Sequence, residues 1–322
     1  MSLIYVTRKI PQSGLALLKD AGHGVVVSEK DGVLTKEELI SALGEQKYDA
    51  VLCLLTDRID GEIFDAAPHA KIFANYAVGY DNIALDDAKE RGVTITNTPG
   101  VLTETVAEYA FSLMLSVVKR IPEADTFIRG GRYKGWEPEL LLGTDLKGKT
   151  LGILGAGRIG YAMAMKAHHG LGMKIVYNDV KQNDIFEKEL SAEFIPDVDD
   201  VFRNADVISV HVPLLPATRH LVNKERLGYM KASAYLINTS RGPVVDERAL
   251  VAELKNKTIA GAGLDVFENE PELTEGLTEL SNVVVTPHIA SASVETREKM
   301  STIAGENIIA FLKGEIPPNV VV

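Results

Sequence analysis

Short apolar runs alternate with amphipathic stretches along the N-terminal third of the chain. The apolar runs predict strands at residues 3–7, 25–28, 50–55, 71–76 and 94–97. Between them, apolar positions recur at helical spacing over residues 12–21, 36–45, 61–67 and 85–91. Strand and helix in alternation imply a parallel sheet with helices on its faces, the α/β class. No glycine-rich turn follows the first strand, which runs into Thr7-Arg8-Lys9. A helix that is apolar nearly all round is expected over residues 103–119, which suggests burial between domains or subunits. Thr98-Pro99-Gly100 marks its start, and Lys119-Arg120 with Pro122 its end. Residues 129–146 read as irregular and hold Gly130-Gly131 and the single tryptophan, Trp136. Further strands are expected at 150–154, 174–177, 207–210, 234–237, 259–264 and 283–285, and a last helix at 294–313. Parallel strands need crossovers, so this second sheet ends near Thr286 and leaves the last helix free to return to the first domain.

One run changes the picture. The strand at 150–154 enters Gly155-Ala156-Gly157-Arg158-Ile159-Gly160, then a helix over 161–170, then a strand that ends on Asn178-Asp179. This is the order of a Rossmann dinucleotide site. Gly155 permits the tight turn, Gly157 lets backbone approach a pyrophosphate, and Gly160 lets helix and strand pack closely. The helix N-terminus offers N–H groups and a positive dipole end to the phosphates. Asp179 lies where a carboxylate accepts from the ribose hydroxyls. Its charge repels a 2′-phosphate, and Lys181 is the only cation nearby, so NAD is expected rather than NADP.

Composition narrows the class. Of 322 residues, 46% are hydrophobic and 25% charged, which fits a globular chain large enough for two domains. No apolar stretch reaches the ~18 residues of a membrane helix, and residues 1–6 carry no signal-peptide pattern. Cys53 is the only cysteine, which excludes an internal disulfide and suits a reducing, cytoplasmic setting. It lies in an apolar run and reads as a core residue rather than a nucleophile. The net charge of −11 argues against nucleic acid or anionic membrane as a partner. It leaves small anions possible, since local groups hold those. His168-His169 could suggest a metal, but adjacent side chains on a helix are expected to diverge, so no metal is expected.

Three strand ends in the C-terminal half carry chemistry: Asn238-Thr239-Ser240-Arg241-Gly242, Asp265-Val266-Phe267-Glu268-Asn269-Glu270-Pro271, and Thr286-Pro287-His288-Ile289-Ala290-Ser291. Ligands of a parallel sheet bind beyond the C-terminal strand ends, so these loops should converge beside the nicotinamide. An Arg, a carboxylate and a His there suit hydride transfer to a 2-keto acid. Arg241 offers a bidentate fork to a carboxylate and carbonyl. His288 donates a proton to the carbonyl oxygen, and Glu270 beside it should favour the imidazolium and raise its pKa. Each residue has a plainer alternative: Arg241 as an ion-pair partner, His288 as a core histidine, Glu270 as a loop cap, Trp136 as packing. Glu268 reads as solvated, and His23, His69 and His220 as surface or turn residues.

These motifs, with Asn75-Tyr76-Ala77-Val78-Gly79-Tyr80-Asp81-Asn82-Ile83, Asn97-Thr98-Pro99-Gly100 and His211-Val212-Pro213-Leu214, resemble the D-2-hydroxyacid dehydrogenase family over essentially the whole chain. Residues 54–60 and the segment from Trp136 to Gly143 resemble its glyoxylate/hydroxypyruvate reductase branch. The resemblance implies Arg241, Glu270 and His288 as the catalytic set. It implies the Val78 and Gly79 N–H groups, with Arg241, on the substrate carboxylate, and Leu54 and Trp136 about the substrate. It places Arg158 and Ile159 at the pyrophosphate, and His211, Val212, Pro213 and Thr218 toward the adenine. Thr103 and Thr239 fall near the cofactor, and Asp265 accepts from the carboxamide. It implies two doubly wound domains: a flavodoxin-like substrate domain, residues 1–98 plus 288–322, and a Rossmann domain, residues 99–287. A homodimer through the residue-103 helix and the following arm is implied too.

Two departures leave the chemistry intact: Ala84, where the family often has Asp, and Ala290, where Gly is usual. Glu270 disfavours the formate dehydrogenase branch, which has an amide there. Ending near Val322, the chain is expected to lack the regulatory domain of many phosphoglycerate dehydrogenases. The activity expected is reduction of glyoxylate or hydroxypyruvate by NADH, the alternatives being D-lactate or phosphoglycerate dehydrogenase. A rival of another class is an NAD(H)-sensing, corepressor-like binding protein.

Overall fold

The alternating pattern produces two parallel sheets, each within its own compact unit. The computed structural model describes residues 1–322. One unit is Met1–Leu102 with Ala292–Val322, and the other is Thr103–Ser291. The divisions fall a few residues beyond 98 and 287, so His288 through Ser291 belong with the second unit.

The first unit carries β1 (Leu3–Val6), β2 (Gly24–Val27), β3 (Ala50–Leu54), β4 (Ile72–Tyr76) and β5 (Thr94–Thr96). They pair in the order β2-β1-β3-β4-β5, all parallel, the flavodoxin-like winding. The crossovers are α1 (Gln12–Asp20), α2 (Lys36–Gly44), α3 (Gly61–Ala66) and α4 (Leu85–Glu90). A capping box between Thr35 and Glu38 starts α2. The last helix, α12 (Val294–Leu312), packs on α1 and β4. Gly14 makes this approach possible: a Cβ there would stand 2.0 Å from the Ser301 carbonyl oxygen. The Gly14 N–H donates to Ser301 Oγ at 3.0 Å, and Ser13 Oγ to the Glu298 carbonyl at 2.9 Å. Cys53 is fully buried among Tyr5, Phe73 and Ile95, and burial pushes its thiol well up, as a core residue requires.

The second unit opens with α5 (Thr103–Val118) and α6 (Ile121–Arg129). Its strands are β6 (Thr150–Leu154), β7 (Lys174–Asn178), β8 (Glu193–Phe194), β9 (Val207–Val210), β10 (Tyr235–Asn238), β11 (Gly261–Leu264) and β12 (Val283–Val285). Between them run α7 (Arg158–Leu171), α8 (Asp184–Leu190), α9 (Val198–Asn204), α10 (Lys224–Tyr229) and α11 (Glu247–Lys255). The order is β12-β11-β10-β9-β6-β7-β8, parallel throughout. The winding reverses between β6 and β9, and such a point opens a crevice at the carboxyl ends of the strands.

Two expectations change here, and the inner face of α5 finds its cover. The buried side of α5 (Ala107, Ala110, Leu113, Met114, Val117) packs on its own unit, against α7 and the sheet. Gly261 and Gly263 make room for it: a Cβ on Gly263 would lie 2.7 Å from Leu113. Pro122 opens a helix as well as closing one. Arg120 takes a left-handed φ of 54° at the corner, and Pro122 sits in the first turn of α6, where its missing N–H costs nothing. His168 and His169, at the end of α7, do not diverge but stack edge to face with centroids 4.9 Å apart.

Candidate active site

The glycine turn lies at the switch point. Leu154 pairs in register with Val210, so Gly155 and His211 leave adjacent strands side by side. Gly155 has φ 96°, and a Cβ on it would lie 2.8 Å from the His211 carbonyl. A Cβ on Gly160 would stand 2.2 Å from the Gly155 carbonyl oxygen, which is the close helix–strand contact the pattern requires. On Gly157 a Cβ meets nothing within 4 Å: its face is open. Gly157 is also the N-cap of α7 and supplies no side chain to cap it. The first-turn N–H groups from Arg158 onward are therefore uncapped. This is a cradle that fits a pyrophosphate.

Asp179 follows β7. Its Oδ2 accepts the Ala156 N–H at 2.7 Å and its Oδ1 the Val180 N–H at 2.6 Å. The carboxylate is thereby tied to the glycine loop, with lone pairs remaining for a diol. His211 Nε2 shares a hydrogen bond with Ser209 Oγ (2.8 Å), and burial lowers its pKa to about 4, so it is neutral near pH 7. Val212 is half-buried and Pro213 exposed. Thr218 closes the turn after Pro213: its Oγ1 accepts from the Leu215 N–H at 2.8 Å and donates to the Pro213 carbonyl at 2.6 Å. Thr103 begins α5, half-buried. Thr239 Oγ1 is buried and has no partner, an open position for a cofactor group.

Three loops meet beyond β10, β11 and β12. His288 Nδ1 lies 2.9 Å from Glu270 Oε2, and Nε2 makes no hydrogen bond. Burial alone would raise the Glu270 pKa. The His288 hydrogen bond and charge, the Phe267 N–H at 2.9 Å and the Arg241 charge outweigh it and hold the carboxyl below its ordinary value. Asn238 shapes the Arg241 loop. Its Oδ1 accepts from Ser240 N–H (3.0 Å) and Oγ (2.8 Å), and its Nδ2 donates to the Arg241 carbonyl (3.0 Å). The Arg241 guanidinium also donates to the Ser240 carbonyl at 2.9 Å.

His288 itself has φ 55°, a conformation uncommon for any residue with a Cβ. Asp265 holds it there. Its Oδ1 accepts from Thr286 Oγ1 (2.6 Å) and the Ile289 N–H (2.9 Å), and its Oδ2 from the Ala290 N–H (2.7 Å). The residue is fully buried, which pushes its pKa up against these bonds. The sequence reading assigned Asp265 to a carboxamide. In the structure its carboxylate also braces the His288 loop, accepting from three donors.

The first unit's expected site residues are arranged as follows. After β4 the chain turns, and side-chain amides take its carbonyls: Asn97 Nδ2 donates to the Val78 carbonyl (2.8 Å), and Asn75 Nδ2 to that of Gly79 (2.9 Å). With their carbonyls turned inward, neither the Val78 nor the Gly79 N–H has a hydrogen-bond partner. Leu54 ends β3, its N–H held by Asp57 Oδ2 at 2.8 Å. In the other unit Trp136 is 84% exposed.

Sequence reasoning missed Glu247 and misread Glu268. Glu268 is not solvated: its side chain is 15% exposed and lies 2.6 Å from His220 Nε2. The available signal was Asp246-Glu247 after a turn, an N-cap followed by a first-turn acid.

Fold and site together define an NAD(P)-dependent dehydrogenase. The family model of the D-isomer specific 2-hydroxyacid dehydrogenase NAD-binding domain matches residues 111–290. The chain belongs to the D-isomer specific 2-hydroxyacid dehydrogenases. It is 49% identical to a glyoxylate reductase of Thermofilum pendens over 320 residues, covering 99% of this chain and 94% of that protein. The TT0316 protein of Thermus thermophilus superposes with a TM-score of 0.93 at 42% identity, over 99% of this chain and all of that one. An NADPH-dependent glyoxylate/hydroxypyruvate reductase of Sinorhizobium meliloti, solved with NADP and malonate, has a TM-score of 0.86 at 34% identity. That match covers all of this chain and 97% of the other.

Proposed function

We propose that this protein reduces glyoxylate and hydroxypyruvate to glycolate and D-glycerate, with NADH as donor. The observation that carries the reading is His288, with Nδ1 paired to Glu270 and Nε2 left open. Such a histidine is oriented by one nitrogen and does acid–base work with the other. Arg241, its guanidinium close enough to bias Glu270, supplies the fork for a substrate carboxylate. The unpartnered Val78 and Gly79 N–H groups are donors of the kind a carboxylate takes. The glyoxylate reductases among the relatives favour a small 2-keto acid.

Gly157, Arg158 and Ile159 would hold the pyrophosphate and Asp179 the adenosine ribose, and the unpartnered Thr239 Oγ1 would be available to the cofactor. When bound, the nicotinamide supplies the hydride. The work of this chain is to bind, orient and protonate. His288 Nε2 gives its proton to the carbonyl oxygen as the carbonyl carbon accepts hydride, and takes it back in the reverse direction. Asp179 favours NADH, since a 2′-phosphate would meet its charge.

The working assembly is a homodimer. Ile121, Ile128, Tyr133, Trp136 and Leu142 are each more than half exposed on α6 and the arm that follows it. Such a cluster suits burial against a second copy.

The test is NADH and NADPH oxidation against glyoxylate, hydroxypyruvate, pyruvate and phosphohydroxypyruvate. Glyoxylate and hydroxypyruvate should lead in kcat/KM. His288→Ala should reduce turnover on the order of 10²–10⁴-fold while NADH still binds. NADH binding without turnover of any of the four acids would overturn the reading and favour a sensor.

A further inference from the structure

Glu247 is the first residue of α11, only 3% exposed, and no cation pairs with it. Burying an unpaired carboxylate is costly unless strong donors close on it. Here the donors are two backbone groups. Glu247 Oε2 accepts the Glu268 N–H at 2.8 Å, and Oε1 accepts the Thr274 N–H at 2.9 Å. Those groups stand on either side of Glu270. Between them, Asn269 and Glu272 form an antiparallel bridge that closes a tight turn with Glu270 at its corner.

The arrangement is reciprocal. Glu268 Oε2 accepts the Glu247 N–H at 3.2 Å, one of the first-turn donors that α11 leaves open. The other oxygen, Glu268 Oε1, meets His220 Nε2 at 2.6 Å. The loop bearing Arg241 is pressed onto the same segment: a Cβ on Gly242 would lie 1.8 Å from the Phe267 carbonyl oxygen. The Phe267 N–H in turn donates to Glu270 Oε1 at 2.9 Å. The turn that carries Glu270 is thus tied to Glu247 at both ends, through Glu268 and Thr274, while Asp265 holds the His288 side of the pair.

We infer that Glu247, through its exchange of hydrogen bonds with Glu268, is a positioning residue that sets the Glu270 carboxylate against His288. Neither Glu247 nor Glu268 touches substrate. A carboxylate suits the task because its two oxygens can hold two N–H groups at once, with charge-assisted strength. The inference rests on the assignment of Glu270 and His288 to acid–base work.

The test uses the full chain and the pH profile of kcat for glyoxylate reduction, with Glu270→Gln as reference. Glu247→Ala should lower kcat on the order of ten- to a hundredfold, as loss of reactive geometry does. NADH affinity should stay near wild type, because Glu247 is not in the cofactor cradle. The alkaline limb of Glu247→Ala should move to lower pH, as in Glu270→Gln. In the Glu270→Gln background the same change should move the limb no further. Glu247→Gln keeps one acceptor oxygen and should recover part of kcat; it carries the measurement if the alanine variant does not fold. A limb that coincides with wild type in the Glu247 variants, while that of Glu270→Gln moves, overturns the inference and leaves Glu247 a purely structural residue. An unmoved limb in Glu270→Gln overturns the underlying assignment instead.

Discussion

His288 turns its Nδ1 toward Glu270 Oε2, 2.9 Å away, although the two residues stand on the ends of different strands. His288 follows β12 and Glu270 follows β11, with Asp265 bonded to the N–H groups just beyond His288. The pair depresses the Glu270 pKa below its ordinary 4.5. Its contribution to stability is therefore present above the unfolded-state value and is lost as pH falls through the lower folded one.

The group that this carboxylate faces, His288, is the proton donor of the proposed reduction. Reduction consumes a proton at His288, so its rate is retained at low pH and lost as pH rises. Glu270→Gln removes the carboxylate that faces His288 Nδ1 at 2.9 Å. The alkaline limb of keto-acid reduction should then lie at lower pH than in the native protein. A pH–rate profile of kcat measures this, and an unchanged limb would show that Glu270 is not the partner in turnover.

The fingerprint glycines should separate by function. Gly160→Ala drives a Cβ to 2.2 Å from the Gly155 carbonyl oxygen. Overpacking of this kind costs about 1–3 kcal/mol, and thermal unfolding should report a lower Tm. Gly157→Ala points its Cβ into open space and has an ordinary φ of −78°. It should leave Tm unchanged while weakening NADH by about tenfold or more, roughly 1.4 kcal/mol. Equal loss of Tm in both variants would contradict the open cradle.

Asp179 bears on the choice of cofactor. Its carboxylate is tied to the Ala156 and Val180 N–H groups and cannot swing away from a ribose without breaking both. NADH should exceed NADPH in kcat/KM by tenfold or more, equivalent to about 1.4 kcal/mol of differential binding. Asp179→Ser should narrow the ratio. Comparable values with both cofactors in the native protein would remove Asp179 as a selector.

Trp136 is the most exposed large aromatic of the chain, at 84%. If a second copy covers it, Trp136→Ala should weaken the dimer in sedimentation and relax selectivity toward longer 2-keto acids. A pocket contact of methylene size is worth about 1–3 kcal/mol of discrimination. A mutant with unchanged assembly and unchanged substrate ranking would reduce Trp136 to a surface residue.

Local sequence determined most of the strands, the glycine turn and the three strand-end loops. Each depends on apolar periodicity, on a residue type that a turn demands, or on strand-to-loop order, and all of these are contiguous along the chain. Gly155, Gly157 and Gly160 could be told apart by role before any contact was known, and Arg241, Glu270 and His288 could be named from their motifs. Boundaries were less legible: Pro122 closes one helix or opens the next, and only the left-handed turn at Arg120 decides which.

Tertiary structure alone decided what supports the site. Asp265 holds the His288 loop, a role its motif does not reveal, and Glu268 is not solvated but bound to His220 and to α11. Glu247 went unremarked because its partners, Glu268 and Thr274, lie 21 and 27 residues away. The apolar helix α5 found its cover in its own sheet because Gly261 and Gly263 present no side chains. Periodicity shows that a face must be buried and that an acid stands at a helix start. Which surface covers the face, and which N–H groups the acid receives, depends on pairings between distant segments that no local pattern carries.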